Sequence, residues 1–278
     1  AYQLARNSFK EDAVNRVILA TDGDFNVGIA SREELKGFVE RQRDEGIFLT
    51  VLGFGQGNYH DQLMQELAQN GNGIAAYIDT LGEAQKVLAD QASAMLFPIA
   101  SDVKIQVEFN PAKVREYRLI GYETRALNRA DFNNDKVDAG DIGAGHRVTA
   151  IYEITPTGAN SGLIDSSRYQ QSAQSVGDYA DEYGLLKLRY KLPGESRSKL
   201  IEIPVVDAAT SGVLRQELRF SLAVAGFGEL LRGGENAGDW DFETVLSWAS
   251  ESKGRDAYGY RSEFVQLVRK AQLAQAMR

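Results

Sequence analysis

Apolar residues in the first part of the chain come in short uninterrupted runs, at residues 17–20, 47–54 and 75–78. Runs of this length without polar alternation are typical of strands that are buried on both faces of a parallel sheet. Between the runs, apolar residues recur at helical spacing. Two of these helical segments follow Ser31 and Thr80, and each has a Glu three residues later, which is the capping-box pattern. The sequence therefore predicts strands and helices in alternation.

Such alternation predicts an α/β fold, a Rossmann-like parallel sheet with helices on both faces. The first ten residues predict the end of an amphipathic helix, with Leu4 and Phe9 facing the sheet. The last helix of this domain is expected to run to about Leu96, and Pro98 to end the domain. We therefore expect the α/β domain to occupy residues 1–98.

From residue 99 the hydrophobic pattern changes to strict alternation of apolar and polar positions. The alternating segments are residues 103–109, 148–154, 186–190 and 201–205. This period of two predicts an antiparallel sheet with one buried face, arranged as a β-sandwich. Helical apolar stripes end the chain, and their aromatic residues are expected to plug the sandwich. The pattern predicts an α+β domain, an antiparallel β-sandwich with C-terminal helices, at residues 99–278.

The first apolar run ends in Thr21-Asp22-Gly23-Asp24, which leaves the sheet at its carboxyl end. Open α/β sheets bind ligands at that end, and carboxylate oxygens are ligands for hard cations. A metal-binding role for Asp22 is one interpretation. The other is a simple turn in which Asp22 and Asp24 cap the next helix.

Residues 15–28, which contain this turn, resemble the last metal-site segment of von Willebrand factor type A (VWA) domains. Residues 49–55 and 76–80 continue the resemblance, and later segments are similar to the bacterial envelope lipoproteins of the YfbK type, with their C-terminal domain of unknown function. The resemblance implies that Asp22 helps to bind Mg²⁺ or another divalent cation. It also implies that a partner protein contributes an acidic side chain, and that the rim of the contact surface comprises Thr21, Asp24, Phe25 and Asn26.

The family's metal site also needs an Asp-x-Ser-x-Ser motif and a Thr, both of which precede the Thr-Asp-Gly segment. The residues before Thr21 contain neither. We therefore expect that the N-terminal half of the VWA domain is absent and that the metal site is incomplete in this chain. The strand at residue 17 would then lie at a bare sheet edge, which favours self-association through that edge.

A second candidate metal site lies in the Asp- and Asn-rich segment of the C-terminal domain. Asp131, Asn133 and Asp135 occupy positions one, three and five, as in a Ca²⁺-binding loop. The Gly expected at position six and the bidentate Glu at the end are missing. The alternative is a hairpin loop, in which Asp and Asn are frequent because they tolerate turn conformations.

Composition excludes several classes of function. The net charge of −8 leaves no basic surface for nucleic acid, and the absence of Cys excludes thiol chemistry and thiolate metal sites. No apolar run is long enough to cross a bilayer. Neither of the two His residues has the spacing of a metal site or a triad.

These observations favour a non-enzymatic protein-binding module of the cell envelope, and the resemblance implies a periplasmic or cell-surface location. The alternatives are a carboxylate-dependent hydrolase that acts from the sandwich or the cleft between domains, and a purely structural envelope module.

Overall fold

A computed structural model describes residues 1–22, 31–55, 61–122, 127–159, 162, 179–207 and 212–277. The chain forms two compact units whose segments interleave along the sequence. Unit 1 comprises residues 1–106, 127–147 and 188–201, and unit 2 comprises residues 107–126, 148–187 and 202–278. The hydrophobic pattern predicted two consecutive domains, with one domain boundary at residue 98.

The first sheet is parallel, as predicted. It consists of β1 (Asn15–Thr21), β2 (Ile47–Phe54) and β3 (Ala75–Ile78), in the order β1–β2–β3. The register pairs Thr21 with Gly53 and Phe54 with Ile78. Because all three strands run the same way, Thr21, Phe54 and Ile78 mark its carboxyl edge.

Helices precede and connect these strands. They are α1 (Tyr2–Asn7), α2 (Arg32–Asp44), α3 (Asp61–Asn70), α4 (Leu81–Gln85) and α5 (Ala92–Leu96). The Ser31 cap on α2 is confirmed, since the Oγ atom of Ser31 accepts from the backbone N–H of Glu34 at 3.1 Å. The helix expected to run unbroken to Leu96 is instead interrupted by a π-helical turn at Lys86–Asp90. The central strand and these helices share a core of apolar side chains: Val39, Leu49, Val51, Met64 and Leu67.

The orientation predicted for α1 is wrong. Leu4 is 71% exposed, whereas Tyr2 packs edge-on against Phe38 with ring centroids 5.3 Å apart. The helix has only six residues, so it presents a single turn to the sheet, and the larger aromatic ring occupies that contact. Burial raises the pKa of Tyr2 to about 12.

The β1 strand is less buried than its apolar run predicted. It forms one end of the three-stranded sheet, and its residue Ile18 is 47% exposed. The central strand β2 has the predicted burial, because a strand lies on each side of it and most of its residues are buried.

The remaining strands are β4 (Pro98–Phe109), β5 (Val114–Ile120), β6 (Gly140–Gly143), β7 (Ile151–Pro156), β8 (Glu182–Lys191) and β9 (Lys199–Val206). They form a four-stranded sheet in the order β6–β4–β8–β9 and a two-stranded sheet of β5 and β7. The pairs β4–β6 and β5–β7 are antiparallel, as predicted. Pro98, expected to end a domain, is the first residue of β4.

The alternation predicted for β4 fails at Lys104, which is only 3% exposed, while its neighbour Ile105 is 45% exposed. The register of β4 against β6 shifts between Ala100 and Val103, and Asp102 within this bulge has a positive φ of 51°. A bulge changes which side of the strand a residue faces. The alternating pattern therefore predicted that Lys104 faces solvent and Ile105 faces the core, and both predictions are wrong.

Three helices end the chain: α6 (Gly212–Leu231), α7 (Phe242–Glu251) and α8 (Tyr260–Ala276). Their aromatic side chains, expected to plug a sandwich, contact one another instead. Phe227 lies 5.4 Å from Phe264 and 6.0 Å from Phe242, measured between ring centroids. Val245 and Val268 complete this core and are fully buried. No helix within the described residues is long and apolar enough to cross a membrane.

Candidate functional site

The sequence-predicted metal residue Asp22 lies directly after β1, where the parallel sheet ends. It is exposed, and Thr21 before it is aligned with Gly53 of β2. On the neighbouring strands the chain leaves the sheet at Gly55, which has a positive φ of 96°, and at Asp79. The proposed rim residues Asp24, Phe25 and Asn26 lie outside the described residues.

The described side chains at this edge do not by themselves make a metal site. Thr21 and Asp22 offer two oxygen ligands at the end of β1, whereas Mg²⁺ has an octahedral shell of six. Among the described ranges, no group of three or more His, Asp or Glu side chains is arranged to hold a metal ion. A divalent cation at Asp22 therefore requires ligands from elsewhere.

The Asp- and Asn-rich segment is occupied by two lysine ammonium groups. The Nζ atom of Lys104 donates to the main-chain oxygens of Asp131 at 3.2 Å and Asn134 at 2.5 Å. The Nζ atom of Lys191 donates to the main-chain oxygen of Asp135 at 2.8 Å. Main-chain oxygens of the segment thus accept from lysines of the four-stranded sheet, and these ammonium groups bring positive charge to the place where the spacing suggested a Ca²⁺ ion.

The side chains proposed as Ca²⁺ ligands also have protein partners. Asn133 accepts through Oδ1 from Arg189 at 2.9 Å, and Asp135 accepts through Oδ2 from the backbone N–H of Ser198 at 3.2 Å. The bond from Ser198 lowers the pKa of Asp135. The other carboxylate oxygen of Asp135 is buried and has no hydrogen-bond partner within the described part of the chain. The segment is therefore a turn held by side chains of neighbouring strands.

Asp138 and Asp141, at the end of the Asp- and Asn-rich segment of residues 131–141, lie together with Asp102, and none of these three carboxylates was predicted to be a ligand. Asp102 accepts from Lys191 at 2.5 Å and from the backbone N–H of Ala139 at 3.2 Å. Asp141 accepts from the backbone N–H of Asp102 at 3.3 Å, and Asp138 pairs with Arg43 at 2.6 Å. The bulge in β4 brings Asp102 close to Asp138 and Asp141. No local pattern in the sequence predicts this bulge.

The environment of Asp141 favours its protonated form. Burial raises its pKa to about 6, with smaller contributions from the charges of Asp138 and Asp102, while the hydrogen bond from the backbone N–H of Asp102 and the charge of Arg16 oppose this rise. Burial also raises the pKa of Asp138, although Arg43 acts in the opposite direction. Groups with shifted pKa values in a cleft are candidates for function.

Asp141 lines a cavity of about 450 Å³ in unit 1. Asn15, the first residue of β1, and Phe48, near the start of β2, also line it. The cavity therefore lies at the amino ends of the parallel strands, at the opposite end of the sheet from Asp22.

A second cavity, of about 370 Å³, lies in unit 2 between α6 and the strands β5 and β7. Its lining is mainly apolar, and Glu229 and Arg232 contribute its charged groups. Glu229 is 6% exposed and pairs with Arg118 at 3.0 Å, which in turn pairs with Glu153 at 2.6 Å. These charges balance each other, so the cavity presents no net charge to a ligand.

His146 is exposed in a turn after β6, and His60 lies outside the described residues.

Comparison with known proteins identifies the family. The chain is 44% identical over 269 residues to the Escherichia coli (strain K12) protein described as "Uncharacterized protein YfbK", an alignment that covers 96% of this chain. The chain spans 46% of that relative's length.

Two solved structures resemble parts of the chain. A von Willebrand factor type A protein from Catenulispora acidiphila matches 97% of this chain and 61% of its own, with 14% identity and a TM-score of 0.41. The conserved hypothetical protein BatB from Bacteroides thetaiotaomicron matches 33% of this chain and 55% of its own, with 23% identity and a TM-score of 0.28. Residues 94–273 match the family described as "Uncharacterized protein YfbK, C-terminal", and the chain therefore belongs to that family.

Proposed function

We propose that this protein is a non-enzymatic module that binds a partner protein at the carboxyl edge of its parallel sheet. The observation that carries the proposal is the position of Asp22, an exposed carboxylate placed directly after β1. Strand ends in a parallel sheet form a rigid platform, and loops on such platforms are common binding surfaces. Thr21 and Asp22 would form one side of the contact, with Asp24, Phe25 and Asn26 following them in the sequence.

We further propose that Mg²⁺ takes part when additional ligands are supplied, either by another part of a longer polypeptide or by a second chain. A hard cation held by few protein charges still attracts an anionic ligand strongly. The partner would then present an acidic side chain. Without the cation, the carboxylate of Asp22 would repel such a partner, so metal dependence is the property to measure.

Isothermal titration calorimetry of the chain with Mg²⁺, and then with Ca²⁺, tests the metal part of this proposal. The variants are Asp22→Ala and, as a matched exposed carboxylate on another element, Asp61→Ala. A Mg²⁺ signal that only Asp22→Ala abolishes supports a site assembled with ligands from a neighbouring copy. Silence with both ions overturns a metal site formed by this chain. A Ca²⁺ signal that Asp22→Ala leaves intact indicates the Asp131, Asn133 and Asp135 segment instead.

Self-association is a separate proposal, which concerns the side edge of the sheet at β1 and not the carboxyl edge at Asp22. An unpaired sheet edge with an exposed apolar side chain offers both main-chain groups and surface to another strand. We propose that Ile18 marks a self-association surface. Sedimentation velocity should show concentration-dependent association of the parent chain and its loss in Ile18→Lys. Association that persists in that variant would remove β1 from the interface.

A location in the periplasm or at the cell surface, with a lipoprotein anchor, is proposed from the VWA resemblance alone. A purely structural envelope module remains the alternative in which Asp22→Ala changes neither metal nor partner binding.

The alternative of a carboxylate-dependent hydrolase has one observation in its favour. Asp141 has a raised pKa and lines a cavity, which suits a general acid. Turnover of simple ester or glycoside substrates that Asp141→Asn abolishes would establish this activity. We favour the binding role because Asp22 lines neither of the two cavities described above.

A further inference from the structure

The cavity at the amino ends of β1 and β2 has negatively charged walls. Its lining includes the carboxylates of Glu11, Asp12 and Asp141, and none of the lining residues is Lys, Arg or His. Its volume of about 450 Å³ is within the range of small-molecule sites, roughly 300–1,000 Å³. A ligand that enters it would be surrounded by negative charge.

Two phenyl rings, those of Phe9 and Phe48, also line the cavity. Aromatic faces attract cations, and carboxylates combined with aromatic rings form the usual recognition surface for organic ammonium ions. The ring of Phe48 already lies 5.4 Å from the guanidinium carbon of Arg16, outside the lining. The charge of Arg16 acts on Asp141, and burial lowers the pKa of Arg16.

The walls of the cavity are fixed by specific contacts. Asn15 accepts from the backbone N–H of Lys10 at 3.1 Å and donates to the oxygens of Lys10 and Ala13 at 2.8 and 3.0 Å. These three bonds hold the turn that carries Glu11 and Asp12. A preformed turn does not have to be ordered when a ligand binds, which reduces the entropic cost of binding.

Asn72 supplies an unused hydrogen-bond acceptor at the same cavity. Its side-chain oxygen is buried and has no hydrogen-bond partner among the residues that the structure describes, and Asn72 belongs to the lining. A buried acceptor without a partner is costly, and an ammonium N–H would satisfy it.

We propose that this cavity binds a small organic ammonium ion, with the charge at Asp141 and the hydrocarbon part against Phe9 and Phe48. Burial raises the pKa of Asp141, and an ammonium ion beside this carboxylate would offset the cost of its charge. The proposal is independent of the function suggested for Asp22, which lies at the other end of the sheet.

Calorimetric titration of the whole chain with n-butylammonium near pH 7 tests this site. Butyrate, which has a chain of the same length and the opposite charge, is the control ligand. We expect heat with butylammonium and none with butyrate. Equal binding of both ions, or no binding of butylammonium, would overturn the proposal.

Two variants locate the binding. Asp141→Asn should weaken butylammonium binding roughly tenfold or more, since a hydrogen bond to a charged group is replaced by a neutral one. Phe48→Leu keeps the apolar volume but removes the ring, and should weaken binding about threefold. Asp61→Asn, which changes an exposed carboxylate of α3 outside the lining, is the matched control and should bind as the parent chain does. Unchanged affinity in Asp141→Asn would place any binding elsewhere and refute the assignment.

The pH dependence of butylammonium binding distinguishes a direct role of Asp141 from unfolding of the variant. Affinity in the parent chain should fall as the pH is lowered through about 6, because protonation removes the charge of Asp141. Asp141→Asn should show a much flatter profile. The groups that act on Asp141 are Asp102, Asp138 and Arg16, and the first two add to the same trend. A profile that is identical in both proteins would contradict the role given to Asp141.

Discussion

The ammonium group of Lys104 lies 2.5 Å from the main-chain oxygen of Asn134, in the segment where sequence spacing suggested a calcium loop. The same ammonium also donates to the main-chain oxygen of Asp131 at 3.2 Å. Lys104 is 3% exposed, so a positive charge is placed inside the protein and is satisfied by backbone oxygens. The turn therefore binds the ammonium group of a lysine in β4.

Replacement of this lysine should destabilise the protein strongly. Lys104→Met retains most of the side-chain volume but removes the charged donor from the two carbonyl oxygens, which keep the main-chain N–H donors of Asn134 and Val137. We expect a loss of about 2–3 kcal/mol in the free energy of unfolding, because hydrogen bonds from a charged group are lost. Urea unfolding followed by circular dichroism measures it. Lys36→Met, at an exposed position in α2, is the control and should change stability by less than about 0.5 kcal/mol.

How far the sequence predicts this fold depends on whether burial follows local periodicity. The bounds of β2 and β3 agree with their apolar runs, because β2 lies between two strands and is covered along its length. At Lys104, local periodicity predicts the wrong burial. The bulge at Asp102 is set by pairing with β6, a segment about forty residues away in the chain, and alternation along β4 contains no information about it.

The candidate sites show the same difference between local sequence signals and contacts that only the folded chain makes. Asp22 was visible from sequence because a carboxylate follows an apolar run, which is a local signal. The cavity at Asp141 was not visible, since its walls come from the turn before β1, the start of β2 and the segments around β4 and β6. Only the folded chain brings these residues together.

The variant Asp141→Asn should be more stable than the parent chain above about pH 6. The raised pKa means that the folded state binds a proton more tightly than the unfolded state, whose Asp titrates near the ordinary value of 3.8. Stability from this group is therefore complete below about pH 4 and is lost as the pH rises through about 6.

The stability difference between the two proteins should accordingly grow with pH. We expect it to be near zero at about pH 4 and to reach about 1–2 kcal/mol near pH 7, where the charge of Asp141 costs most. The asparagine keeps an oxygen that accepts from the N–H of Asp102. Urea unfolding of both proteins across this pH range measures the difference. A variant that is less stable near pH 7 would show that attraction to Arg16 outweighs burial.

Two glycines, one inside α2 and one shortly after its end, should respond to alanine in opposite ways. Gly46, which follows the helix, has a φ of +84°, and an added Cβ would lie 3.3 Å from the ring of Phe9. Gly46→Ala should cost about 1–2 kcal/mol, since the left-handed region disfavours a side chain. Gly37 lies inside α2, and an added Cβ would meet only the end of the Arg41 side chain at 3.5 Å.

Gly37→Ala should therefore stabilise the protein by about 0.5–1 kcal/mol, the difference in helix propensity between the two residues. Thermal unfolding of both variants beside the parent chain gives the comparison. Equal effects in the same direction would mean that the backbone conformation at Gly46 is not required.

The strand β9 is an edge strand in which every residue is exposed, and it carries Leu200, Ile201, Ile203, Val205 and Val206. Such a strand invites pairing with another copy. Pro204 interrupts it with a residue that has no N–H to donate. Proline in a sheet is confined to positions whose missing N–H would face away from the neighbouring strand, so Pro204 leaves a gap on the free side. We infer that it limits self-pairing.

Pro204→Val should therefore increase self-association, because it restores a donor on the open edge and adds a residue with high strand propensity. Sedimentation velocity over a range of concentrations, analysed against the parent chain, measures the shift. Ile203→Val is the matched control, since it changes a neighbouring apolar side chain and no backbone donor, and it should sediment as the parent does. If Pro204→Val also sediments as the parent does, then the exposed side chains of β9 rather than its hydrogen-bonding groups determine whether the strand associates.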